Sequence, residues 1–183
     1  MHLIEPNILL IAEPFLQDTF FTRSVVYLCK HDEDGSVGFR VNQPCEATLD
    51  QLMVALEGFP IPVYIGGPVE TDTIHFIHQC PESIPGGQAL TENIFWGGDF
   101  EVVVSLIVTH QLDYSKIKFF LGCSGWSKGQ LEAEYREKTW LLTDAAPALI
   151  FSSETEDIWK AGIRQLGKEF EPMMHYPIDP QLN

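Results

Sequence analysis

Ser124 lies between an apolar run, residues 116–121, and a segment with helical charge spacing, residues 128–138. A serine at a strand-to-helix turn is the setting of a nucleophile elbow. Asp144 or Asp157, and then His175, follow it in the order acid, histidine. The elbow needs glycine two residues on either side of the serine. Gly122 meets that need, but Trp126 stands on the far side and the second glycine, Gly125, comes one residue early. His175 also falls in a Pro-rich tail, so Ser124 reads as a turn residue. Cys123 precedes a helix start, where a thiol pKa falls, and Lys128 is near in sequence. It also closes an apolar run, and a buried strand cysteine is inert. Gly122, Gly125 and Gly129 are spaced to aim backbone amides at an anion. They fit neither a P-loop nor a dinucleotide fingerprint. The competing reading is a glycine turn that lets Trp126 pack across the helix end.

His75 and His78 fall on an apolar, strand-like run. Side chains three apart on a strand point to opposite faces, so the two do not share a metal ion. Asp32, Glu33 and Asp34 lack calcium-loop spacing and read as a solvated hairpin tip. Arg23 borders an apolar strand in a chain poor in arginine, and such a guanidinium holds a carboxylate. That carboxylate is either a ligand's or internal, from Glu13 or Glu132.

The elements that position these residues follow from hydrophobic pattern and caps. Residues 8–13 and 24–30 are continuous, β-branched apolar runs and predict buried strands. Asp34-Gly35 turns the chain into a third strand, residues 36–41. Thr48 and Gln51 have capping-box spacing and predict a helix to about Glu57, stopped by Gly58 and Pro60. Residues 63–65 and 73–79 predict strands, the first ending at Gly66-Gly67-Pro68. The region 81–98 is loop-rich, with short strands expected near Ala89 and Ile94. Asp99 predicts the cap of a helix through about Gln111. A strand at 116–121 leads into the glycine turn, and Ser127 with Gln130 predicts the capped helix 128–138. Glu132–Arg136 and Glu134–Lys138 are favourable i,i+4 pairs on it. Strands are expected at 140–142 and 148–151. Ser153 with Glu156 predicts a last helix to Leu166, ended by Gly167. Hairpins early and strand–helix alternation late point to an α+β protein with a mixed sheet.

The 183 residues suit one domain with a real core, here residues 1–170, followed by a loosely held tail, 171–183. Hydrophobic residues make up 45% and charged residues 20%, an ordinary globular mix. The net charge of −15, from 26 acidic and 11 basic residues, repels nucleic acid and anionic membrane surfaces. The stretch 8–12 is too short for a signal-peptide core and follows Glu5 and Pro6 rather than basic residues. Cys29, Cys45, Cys80 and Cys123 are far apart and unpaired in spacing. Reduced thiols in the cytoplasm are the expectation.

Several blocks together resemble one family. They are Leu10 to Pro14; Phe21 to Leu28, with Arg23, Ser24, Val25 and Val26; and His31 and Gly35 followed by Gly38, Asn42 and Pro44. Tyr64 to Val69, with Gly66, Gly67 and Pro68, comes next, and Gly125, Trp126, Gly129, Gln130, Leu131 and Glu132 come last. Trp140 and Trp159 fall where that pattern has tryptophan. In this order they are similar to the AlgH/YqgE family of bacterial proteins. The resemblance implies a single-domain α+β fold with a bent, barrel-like mixed sheet flanked by helices, and it carries over no reaction and no catalytic residue. Cys123 and Ser124 depart from the Tyr-Ala or Tyr-Ser of many relatives, so a thiol at 123 is not the family's shared chemistry.

Two glycine-rich turns more specific than a connection requires, Gly66-Gly67-Pro68 and Gly125-Trp126, are expected to face each other with Arg23 nearby. The leading expectation is a binding or regulatory module. Its small polar site comprises Arg23, Asn42, Gly66, Gly67, Pro68, Gly125, Trp126, Gly129, Gln130 and Glu132, taking a protein partner or a small anionic ligand. The alternative is an enzyme with Arg23, Asn42, Gln130 and Glu132 in one pocket. No cofactor or metal is called for by any motif.

Overall fold

The computed structural model describes residues 3–177; residues 178–183 of the expected tail, and residues 1–2, lie outside the described residues. β1 (Ile8–Ala12) is buried along its whole length. It pairs antiparallel with β2 (Val25–Asp32), and β2 pairs with β3 (Gly35–Arg40) through the expected Asp34-Gly35 hairpin. β4 (Pro44–Thr48) follows as a fourth strand, one that no run in the sequence had indicated. The Thr48 cap leads into a shorter helix than expected, α1 (Leu49–Leu52), followed by a 3₁₀ turn over Val54–Leu56. Gln51 reaches back to the Thr48 amide at 3.1 Å. β5 (Pro62–Ile65) pairs with β4, and β6 (Val69–His78) starts four residues earlier than its apolar pattern indicates.

β7 (Gln88–Ala89) and β8 (Phe95–Trp96) are the short strands of the loop-rich region. α2 (Phe100–Val108) is capped by Asp99, whose carboxylate accepts from the amides of Glu101 at 3.0 Å and Val102 at 3.2 Å.

β9 (Ile117–Ser127) differs most from expectation. Residues 122–127 are not a turn. They continue the strand, with Gly122 at φ +69° as a local kink. One edge of β9 pairs parallel with β5 over residues 119–121 and then antiparallel with β3 over residues 124–127. Its other edge pairs with β6.

The true turn is at Lys128-Gly129, and α3 (Gln130–Arg136) starts with Gly129 in the left-handed conformation, φ +76°. Ser127 therefore ends a strand rather than capping a helix. Gln130 still reaches back to the Ser127 amide at 3.0 Å. β10 (Trp140–Asp144) pairs with β1. Residues expected as a strand near 148–151 form α4 (Pro147–Ile150) instead, because Pro147 sits at the first helical position. α5 (Ile158–Leu166) begins after Asp157 with no side-chain cap from Ser153, and a 3₁₀ segment, Lys168–His175, follows Gly167.

The strand order is β10-β1-β2-β3-β9-β6-β8-β7, with β5 also on β9 and β4 on β5. The core has three parts. Leu9, Ile11, Tyr27 and Phe39 meet Trp159 and Ile163 of α5 on one face. Leu10, Val26 and Leu28 meet Trp126, Leu131 and Trp140 under α3 on the other. Val63, Phe76 and Phe119 meet Val103 and Ile107 of α2. The architecture is a single α+β domain whose curled, mixed sheet is flanked by helices. Among the described residues no helix is long and apolar enough to cross a membrane.

Candidate functional site

Two glycine segments far apart in sequence meet backbone to backbone. A Cβ on Gly67 would overlap the backbone of Cys123 and Ser124, and one on Gly66 would overlap the Gly122 carbonyl. Glycine is required at both positions because the chains pass without room for a side chain. The Gly66 carbonyl is the joint: it accepts from the Arg40 amide at 2.9 Å and from the Ser124 hydroxyl at 2.9 Å. Ser124 is thus fully buried and engaged, a structural residue and no nucleophile.

Immediately beyond this joint a cleft of about 290 Å³ opens. Pro68, Gly125, Trp126 and Gln130 line it, together with Asp18, Phe21, Glu134 and Trp140. The cleft is organised by Glu134. One carboxylate oxygen accepts from both indoles, Trp126 Nε1 and Trp140 Nε1, at 2.8 Å each. The other accepts from Gln130 Nε2 at 2.8 Å. Two buried indole donors and one amide share a single carboxylate, which fixes the rings at 5.9 Å in a T-shaped pair. Phe21 stands edge-on to Trp140 at 5.5 Å. Asp18 is held by its own loop, accepting from the Phe20 amide at 2.8 Å and the Phe21 amide at 3.2 Å.

Of the residues expected to form one site, Gly66, Gly67, Pro68, Gly125, Trp126 and Gln130 are brought together. Gly129 and Glu132 line a different, shallow groove of about 430 Å³ with His31 and Arg136. Glu132 faces His31 Nε2 at 3.8 Å. Arg23 and Asn42 are elsewhere. Arg23 is over the Trp159 ring at 4.6 Å and donates to the Tyr176 carbonyl. Asn42 accepts from the Val25 amide and donates to the Arg23 carbonyl, both at 2.9 Å, so it pins the start of β2. Neither expected carboxylate partner of Arg23 is its partner here. The i,i+4 pairs also change. Arg136 Nε donates to the Glu132 backbone carbonyl at 3.2 Å. Lys138 leaves the helix at φ +64°, freeing Glu134 for the indoles.

Asp18, Glu134 and Trp140 were hidden from sequence reasoning. The one available signal was Gln130 and Glu134 at i,i+4, with Trp126 just upstream.

Two further groups stand out. Lys118 is buried, donates to the Ser152 carbonyl at 2.8 Å and lies 3.9 Å over the Tyr64 ring, lining a cleft of about 330 Å³. Burial without a carboxylate lowers its pKa to about 7. Glu70, His75 and Cys123 place a carboxylate oxygen, an imidazole nitrogen and a sulfur within 4.8 Å of one another, the described group best suited to hold a metal ion. Burial lowers the His75 pKa, and burial with the Glu70 charge raises that of Cys123, so the free thiol is a poor nucleophile. His78 is structural, as its spacing implies: Nε2 contacts the Gly97 carbonyl at 3.0 Å and Nδ1 accepts from the Cys80 amide at 3.1 Å.

Comparison with known proteins fits this geometry to a family. The family model described as AlgH-like matches residues 9–171. The chain belongs to the AlgH-like family. A UPF0301 protein of Chlorobium luteolum is 39% identical over 175 residues, covering 96% of this chain and 93% of that one. One from Parabacteroides distasonis is also 39% identical, covering 96% and 89%. The solution structure of the AlgH protein from Pseudomonas aeruginosa superposes with a TM-score of 0.76 at 28% identity, covering 97% of this AlgH-like chain and 98% of that one. A crystal structure of a Corynebacterium diphtheriae protein, at 20% identity and TM-score 0.79, shares the fold, covering 96% and 95%.

Proposed function

We propose that this AlgH-like protein is a binding module whose Trp126–Glu134 cleft takes a guanidinium or alkylammonium group. One observation carries this reading. Three aromatic rings, of Phe21, Trp126 and Trp140, share the cleft with the carboxylates of Asp18 and Glu134, and no cationic side chain lines it. Aromatic faces and fixed carboxylates favour organic cations. An anionic ligand, the expectation from the glycine pattern, would meet two carboxylates there, while Arg23 is engaged elsewhere. The net charge of −15 adds a field that draws cations and repels nucleic acid. Four free thiols fit a reducing compartment, and we place the protein in the cytoplasm on that ground.

The test is a titration with arginine amide and with tetramethylammonium, followed at the indole N–H resonances of Trp126 and Trp140. Saturable shifts are expected at both indoles. Asp18→Asn keeps an acceptor for the loop amides but removes a charge, and should weaken binding by roughly threefold to tenfold, the scale of an exposed to partly buried charge interaction. Indoles that stay unmoved by either cation, or that respond to inorganic phosphate instead, would defeat the reading.

A further inference from the structure

We propose that Glu70, His75 and Cys123 form a binding site for a divalent cation of the zinc class. The site is built by a defect in the sheet. Val69 pairs with Cys123, and the ladder resumes only at Ile74 opposite Leu121, so residues 70–73 bulge out of register. Glu70 takes a left-handed backbone, φ +50°, at the start of that bulge, and Gly122 kinks the facing strand at φ +69°. Regular pairing would carry Glu70 past Cys123. The bulge brings its carboxylate within 4.8 Å of the sulfur and of the imidazole nitrogen.

The imidazole supplies the second observation. His75 Nε2 is buried, has Glu70 Oε2 3.2 Å away and makes no well-aligned hydrogen bond to it. The ring is wedged near Phe39 at 5.3 Å and Trp96 at 6.3 Å, so it does not swing to find another partner. A protonated imidazole would aim its N–H at the carboxylate. The ring nitrogen and the carboxylate oxygen lie side by side next to the sulfur, 3.2 Å apart, a spacing that two ligands of one tetrahedral cation can have. The sulfur beside them selects its class. Calcium and magnesium take oxygen ligands, whereas one thiolate, one imidazole and one carboxylate suit zinc or cobalt. Binding releases the thiol proton and leaves the sulfur as thiolate. Three protein ligands leave a fourth position for water or a small ligand. Glu70 is more than half exposed, which leaves a route from solvent, while Cys123 and His75 are sheltered.

The experiment uses the full chain, stripped with EDTA and kept reduced, titrated with Co²⁺. A thiolate-to-cobalt absorption band in the near ultraviolet that saturates at a single equivalent is expected. Cys123→Ser should abolish the band, and His75→Gln should weaken binding at least about tenfold, as loss of a direct ligand exceeds the loss of a supporting one. Cys29→Ser should keep both band and affinity, since Cys29 is a neighbour and no ligand. A wild-type protein that shows no thiolate band, or a band that survives Cys123→Ser, overturns the proposal. The wild-type titration alone is decisive if a variant fails to fold.

Discussion

Residues 117–121 and 122–127 of β9 belong to one strand and are built on opposite rules. The first half is clamped by β5 on one edge and β6 on the other, and it fills the interior with Phe119 and Phe120, both essentially inaccessible. The second half passes from β5 to β3 and is small where the first is bulky, because the Gly66-Gly67 backbone lies against it. The first half is held by side-chain packing and the second by backbone contact. That frees Trp126 to reach across to Glu134 and make a cleft wall. Polar exceptions mark each half: Lys118 is a buried amine with a carbonyl and a ring for partners, whereas the indole of Trp126 finds a carboxylate.

The contrast breaks most severely at the crossing. Gly67→Ala puts a methyl group into the backbone of Cys123, which cannot move without parting β9 from Val69 of β6. A loss of more than about 3 kcal/mol is expected, the upper range of overpacking, read from urea midpoints. A loss below about 1 kcal/mol would show that the crossing yields and that backbone contact does not hold the second half.

Next is Glu134→Ala, which leaves the Trp126 and Trp140 indoles without their acceptor. About 2–3 kcal/mol is expected, since each buried donor left unpaired costs part of its desolvation. Tryptophan fluorescence and the two indole N–H resonances should change together, because one carboxylate serves both rings.

The smallest effect, and of opposite sign, belongs to the first half. The folded pKa of Lys118, about 7, lies below that of an exposed lysine. Between those values the unfolded chain holds a proton that the folded chain does not. This group therefore makes stability rise with pH from about 7 towards the lysine range, and it destabilises most below 7. Lys118→Met should flatten that slope relative to wild type and raise stability at pH 6 by about 1–2 kcal/mol, as replacing a buried charge with a fitted apolar chain does. The difference between the two proteins cancels the thiols, which titrate in both. A variant destabilised at pH 6, with the slope intact, would mean that Lys118 is stabilised in its charged form.

The strands legible from sequence are those whose reasons are local. β1 and β2 are continuous apolar runs, Asp34-Gly35 makes its hairpin, and Asp99 caps α2 where expected. The second half of β9 was illegible because its glycines signal a turn unless a partner chain lies alongside, and that partner is Gly66-Gly67, more than fifty residues away in sequence. The helix at Pro147–Ile150 was hidden by the apolar run Ala148 to Phe151, which reads as a strand when Pro147 is not taken as a helix start. The site divided in the same way. Pro68, Gly125, Trp126 and Gln130 were legible as unusual residues around two glycine segments. Glu134 looked like an ordinary partner for Lys138, and Trp140 reaches it from the first position of β10. Arg23 and Asn42 were unusual for a structural reason, since they shape the entry to β2.

The way β1, β3, β5 and β6 find their neighbours bears on how the chain is made. Each of these early strands takes one partner from close by and another from β9 or β10. On an emerging chain β1, β3, β5 and β6 would each have one hydrogen-bonding edge unmet until β9 or β10 is made. Long-range pairing of this kind is slow to form, and an unmet edge is a template for a second chain. β9 is the strand that joins the β1–β3 set to β5 and β6, and β10, made after it, covers the last edge of β1.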